Sequence, residues 1–156
     1  QAYQQVFRIQ PNHAEAYYNL GNLLQEQGKL EEAIEAYQRV LEIQPNHGEA
    51  YNNLGVVFNI QECFDKAVQA YHKAMQIKPN SAEIYCNLGD TLHEKRELEQ
   101  AIQAYDKAIK IQPDYAKAHS NLGITLLLKG DFQLGWQEYE WRLKCRDPQA
   151  EKRRFF

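Results

Sequence analysis

Apolar residues recur along this chain at helical spacing, and the pattern then repeats at a fixed distance. Tyr17, Leu20, Gly21 and Leu24 stand at i, i+3, i+4 and i+7 and so share one helix face. Ala33, Tyr37 and Val40 do the same in a second stretch. Gln27, Gly28 and Lys29 interrupt the period between them, and Pro45 ends the second stretch. The pattern predicts a pair of helices of about 14 residues joined by a tight turn. Gly28 and Gly130 can supply the left-handed residue that closes a helix. Glu62 and Arg96 hold that position in the two middle units, where the turns are expected to be closed by packing instead.

The run from Tyr17 to Tyr37 is rewritten 34 residues later from Tyr51, and again from Tyr85. With Ala14 as the first position, the units are 14–47, 48–81, 82–115 and 116–149. Residues 1–13 fit the second helix of a preceding unit, and 150–156 form a basic and aromatic tail. Two such helices cannot bury a closed core alone, whereas stacked neighbours can. The expected fold is therefore all-α, a solenoid of stacked helix pairs. Small residues set how closely the helices approach: Gly21 is expected to face Ala33, Gly55 to face Ala67, and Gly89 to face Ala101. In the last unit the pair becomes Gly123 and Gly135, leaving room for Trp136 and Trp141. Asn12, Asn46 and Asn80 each precede a glutamate by three residues, which predicts a capping box with Glu15, Glu49 and Glu83. Asp114 keeps the cap but faces Lys117.

Composition narrows the function classes. The 156 residues are 44% hydrophobic and 25% charged, with a net charge of −3. Six bases and two acids lie between Trp141 and Phe156, a local balance of +4, so the rest of the chain carries −7. A nucleic-acid binder needs a basic stripe along its array, and this array is acidic. No apolar run approaches the ~18 residues of a membrane span. The opening QAYQQVFRIQ lacks the features of a signal peptide and reads as the inside of a helix. Cys63, Cys86 and Cys145 are odd in number and form no CxxC pair, so a reducing cytoplasm is expected. The five histidines are scattered in no ligand pattern, and His13 and His47 are expected to be solvated. No GxxxxGK, GxGxxG, HExxH or GxSxG occurs. No metal, cofactor or catalytic constellation is expected, and the glutamates Glu31, Glu32 and Glu35 read as a solvated helix face.

One polar position does not vary. Asn19, Asn53, Asn87 and Asn121 each precede a Leu-Gly pair. Asparagine inside a helix costs roughly half a kcal/mol relative to alanine. Four such costs in one register call for a return. Each side chain offers one acceptor and two donors. A ladder of them could bond the amide units of an extended peptide without reading its side chains. The alternative is that they bond neighbouring backbone or water.

The series Tyr-x-x-Leu-Gly-x-x-Leu, Ala-x-x-x-Tyr and Pro at this period resembles the tetratricopeptide repeat over almost the whole chain. That resemblance implies a right-handed superhelix of antiparallel helix pairs whose first helices line a concave groove. It places Tyr18, Asn22, Asn52, Cys86 and Asp90 in the groove beside the asparagines. It also sets Ile124, Leu127 and Leu128 where earlier units show Asn22, Gln25 and Glu26, an apolar patch at one end. The matching positions of a terminal-carboxylate clamp hold Glu15, Glu49 and Glu83, with Lys117 the only base, which argues against that partner class. The Asn-Leu-Gly context is similar to the repeats of O-linked N-acetylglucosamine transferase. The end GDFQLGWQEYEWRLKCRDP resembles the last repeat before the catalytic domain of bacterial tetratricopeptide–glycosyltransferase proteins. The reading is a binding module, not an enzyme, for a protein or peptide ligand, without nucleic acid, membrane or cofactor. A self-associating assembly scaffold and a passive spacer are the alternatives.

Overall fold

The computed structural model describes residues 13–143, which form eight α-helices and no strand. The expectations for Gln1–Asn12, Cys145 and the 150–156 tail lie outside these residues. The helices pair as α1 (Ala14–Glu26) with α2 (Leu30–Ile43), α3 (Gly48–Ile60) with α4 (Phe64–Ile77), α5 (Ala82–Glu94) with α6 (Leu98–Ile111), and α7 (Ala116–Lys129) with α8 (Phe132–Tyr139). A 3₁₀ turn, Glu140–Leu143, follows. The helices group into two compact units that divide between Pro79 and Asn80.

In the first unit, α2 packs against both α1 and α3. Leu24, Ala33 and Tyr37 of one hairpin share a core with Leu54, Val57 and Ala70 of the next. A smaller cluster joins Ala14 and Val40 to Ala50. Neither hairpin could bury these residues alone, so the stacking itself creates the interior. In the second unit, α6 packs on α5 and α7, and the 3₁₀ turn folds back onto α7. Tyr105, Ala101 and Ala108 are buried on α6, and Leu122 and Leu126 on α7.

The glycines meet tyrosine rings, not the alanines expected from spacing. A Cβ added at Gly21 would lie 2.6 Å from Tyr37 Cε1; at Gly55, 2.5 Å from Tyr71 Cε1; at Gly89, 2.6 Å from Tyr105 Cε1. Each tyrosine lies one helical turn after the fully buried Ala33, Ala67 or Ala101. The ring, being longer, crosses the interface and occupies the space over the glycine. In the last hairpin a Cβ at Gly123 would meet main chain, 2.7 Å from Tyr139 Cα and 2.8 Å from Gly135 O. There the two helices touch backbone to backbone.

Gly28 and Gly130 adopt φ of +73° and +95°. Glu62 and Arg96 do the same, at +58° and +65°, so packing has not replaced the left-handed residue as expected. The cause is a main-chain bond common to all four turns. Lys29, Cys63, Glu97 and Asp131 donate their N–H to Leu24, Phe58, Leu92 and Leu126 O at 2.8–2.9 Å. That closure requires a left-handed residue before the donor, whatever its side chain.

The N-caps lie one residue later than expected. His13 Nδ1 accepts from Ala16 N at 3.1 Å and His47 Nδ1 from Ala50 N at 3.2 Å, so these histidines are capping groups and are not freely solvated. Ser81 and Tyr115 occupy the same position without a side-chain cap bond. The displacement comes from the proline turn. His47 N donates to Gln44 O at 3.2 Å and Tyr115 N to Gln112 O at 3.1 Å. Pro45 with Asn46, and Pro113 with Asp114, are thereby used as turn residues.

The aromatic end of the sequence closes on α7. The Trp141 indole stacks on His119, with centroids 4.0 Å apart and planes 6° from parallel. His119 Nε2 donates to Pro113 O at 2.9 Å, and Nδ1 lies 2.5 Å from Glu138 Oε2. Trp136 is 55% exposed, so of the two tryptophans only Trp141 packs back onto the hairpin.

Candidate interaction surface

The four register asparagines are held differently. Asn19 is exposed on α1, whereas Asn53, Asn87 and Asn121 are half-buried. Asn53 Nδ2 donates to Asn22 Oδ1 at 2.9 Å and reaches Tyr18 Oη at 3.2 Å. Tyr37 Oη donates to the same Asn22 oxygen at 2.8 Å. The second unit repeats this junction with a charge at its centre. Asn121 Nδ2 donates to Asp90 Oδ1 at 2.7 Å, and Tyr105 Oη donates to it at 2.9 Å. Lys117 Nζ sits 2.9 Å from Asp90 Oδ2 and donates to Asn87 Oδ1 at 3.4 Å.

Asn53 and Asn121 therefore tie neighbouring hairpins together through side chains, not through the backbone or water raised as the alternative for this column. The same bonds fix the plane of each amide at the helix surface. Of the other groove residues, Tyr18, Asn22 and Asp90 are half-buried and belong to these junctions. Asn52 and Cys86 are buried, at 6% and 0% exposure, and present no surface. Ile124 and Leu128 are exposed at 41% and 49%. Leu127 is not part of that patch, because it packs on Gly135, whose added Cβ would lie 2.8 Å from its side chain.

The junctions are perturbed electrostatically. Burial pushes the Tyr37 hydroxyl up to about 12, opposed by its hydrogen bond with Asn53. Tyr105 is driven further, first by burial and then by the adjacent Asp90 carboxylate. Burial pulls the Lys117 ammonium down, but Asp90 more than offsets this and holds it above the ordinary lysine value. Lys117, the lone base of a carboxylate clamp, is thus already neutralised. The Cys86 thiol is pushed up to about 12, chiefly by burial, and is inert as a nucleophile.

Sequence reasoning missed the junction as a unit. Its signal is a pair of spacings: each tyrosine lies 15 residues after its acceptor, and each asparagine donor 31 after it. The acceptor position is Val56 and Ile124 in the other two hairpins, so the 34-residue period conceals it.

No helix among the described residues is long and apolar enough to cross a membrane. No curated protein sequence matches the chain. The crystal structure of MamA is 26% identical, with a TM-score of 0.83, over 99% of this chain and 88% of that one. The structure of Pseudomonas aeruginosa PilF superposes at a TM-score of 0.84 with 19% identity, over 96% of this chain and 68% of that one, a likeness of fold. A mutant O-GlcNAc transferase from Thermobaculum terrenum is 28% identical over 72% of this chain but only 22% of its own, with a TM-score of 0.69. Tetratricopeptide repeat models match residues 14–47 and 36–69, and a TPR repeat model matches 57–96 and 89–130. The chain belongs to the tetratricopeptide repeat family and is a protein–protein interaction module.

Proposed function

We propose that the chain binds extended polypeptide across the first helices of paired hairpins, α1 with α3 within one unit and, separately, α5 with α7 within the other. The supporting observation is the oriented amide column. Asn53 and Asn121 are locked by Asn22 and Asp90, and an amide whose plane is already fixed loses less entropy on bonding a peptide. We assign the chain, on the tail motif and the 28% identity to the Thermobaculum enzyme, as the acceptor-recruiting region of a bacterial O-GlcNAc-transferase-like protein. The test is a peptide array followed by fluorescence titration of the hits against the parent and an Asn19→Ala/Asn87→Ala variant. These two positions lie outside the Asn22 and Asp90 donor bonds, so the fold is retained. Unchanged affinity both in this variant and in Asn53→Ala/Asn121→Ala, with folding of each checked by circular dichroism, refutes the amides as the binding element.

A second reading, an assembly scaffold, draws on a separate observation. Phe132 and Trp136 are 64% and 55% exposed, on the same hairpin as the exposed Ile124 and Leu128. Light scattering across concentration, with Trp136→Ser as control, distinguishes it: a mass that rises with concentration and falls on substitution supports the scaffold.

A further inference from the structure

The second hairpin carries a cleft whose lining includes none of the register asparagines. Its volume is 670 Å³, within the range of ligand pockets, and α3 and α4 line it alone. Tyr51, Leu54, Phe58 and Ala70 form an apolar floor. Lys66, His72 and Lys73 form the rim, and no carboxylate lines the cleft. Lys66 already sits over the Phe58 ring, 5.7 Å from its centroid, so the apolar floor and the basic rim are continuous.

The pair of lysines on this rim is particular to α4. Where α4 has Lys66, Gln69 and Lys73, α2 has Glu32, Glu35 and Arg39, and α6 has Gln100, Gln103 and Lys107. Arg39 is further engaged by Glu42 at 2.5 Å. A cationic, apolar cleft on a chain of net charge −3 does not fit a second copy's acidic α2, which exposes no large apolar side chain. It fits an acidic segment with a bulky apolar anchor.

We propose that the α3–α4 cleft is a second docking site, for an acidic peptide segment bearing a tryptophan or leucine between two carboxylates. The anchor fills the floor over Leu54 and Ala70, and the carboxylates meet Lys66 and Lys73. Those lysines are two helical turns apart, about 10.5 Å along α4. In an extended segment this matches carboxylates about three residues apart, at about 3.3 Å per residue.

Two synthetic probes test this: Glu-Asp-Leu-Trp-Asp-Glu and its charge-inverted partner Lys-Lys-Leu-Trp-Lys-Lys. The acidic peptide is expected to bind, weaken with salt, and shift the backbone amide resonances of Tyr51, Phe58 and Lys73. Lys66→Glu/Lys73→Glu, both at exposed positions, is expected to cut affinity at least tenfold. Asn19→Ala/Asn87→Ala is expected to leave it unchanged, which separates this site from the column of the proposed function. Absence of binding, equal binding of both probes, loss only in the asparagine variant, or self-association that depends on Lys66 and Lys73 would each overturn the proposal.

Discussion

Asn121 donates its side-chain amide to Asp90 at 2.7 Å, and the same carboxylate oxygen takes the Tyr105 hydroxyl. Asn53 and Asn22 form the neutral counterpart in the other unit. One junction is thus built twice, once around an amide and once around a charge. Removing the centre should cost more than neutralising it. Asp90→Asn keeps an acceptor and loses the half-exposed pair with Lys117, at about 0.5–1 kcal/mol. Asp90→Ala also strands the Tyr105 hydroxyl and the Asn121 amide, at about 1–3 kcal/mol. Urea unfolding of both variants measures the difference, and equal losses would contradict the junction.

High pH should weaken the fold through the same groups. Tyr37, Tyr105 and Lys117 all have raised values in the folded chain. A raised group contributes its stability fully below its unfolded value and loses it as pH rises through the folded one. Stability should therefore hold at neutral pH and fall above about 10, the ordinary tyrosine value. For Tyr37 the loss is complete at about 12. Tyr37→Phe should flatten the decline at the expense of the hydrogen bond to Asn22, as seen in urea midpoints taken across that range.

Gly55→Ala should be a severe change for one methyl group. The added carbon would sit 2.5 Å from Cε1 of a Tyr71 ring that is 1% exposed and has little room to retreat. A loss of about 1–3 kcal/mol is expected, the usual range for overpacking. A variant as stable as the parent in chemical denaturation would show that the ring moves freely.

The middle turns should respond in the opposite direction. Glu62→Gly and Arg96→Gly relieve a left-handed conformation that costs an L-residue about 1–2 kcal/mol, offset in part by glycine's entropy. Each is expected to be neutral or to raise the thermal midpoint. Gly28→Ala, at φ +73° with open space around it, should lower it through backbone strain alone.

Helix placement was legible because a period of 34 residues averages over local exceptions: every first helix begins at Ala14, Gly48, Ala82 or Ala116. Contacts within a hairpin were less so. Spacing gave Gly21 a partner one turn too early, since alanine and tyrosine share the inward face of α2 and only ring length decides which one reaches the glycine. The caps were misplaced by one residue because Asn46 is as good a turn residue as a cap, and Pro45 decides for the turn. The asparagines were legible as a recurrence in sequence. Their partners were not, because the acceptor recurs in alternate hairpins as Asn22 and Asp90, and a search for what stays constant passes over what alternates.

The bends at Glu62 and Arg96 are drawn by main-chain bonds, and both side chains point outward. They are therefore the natural handles on this molecule. A dye attached through a cysteine introduced at either position would ride on a corner whose shape does not depend on the letter it carries.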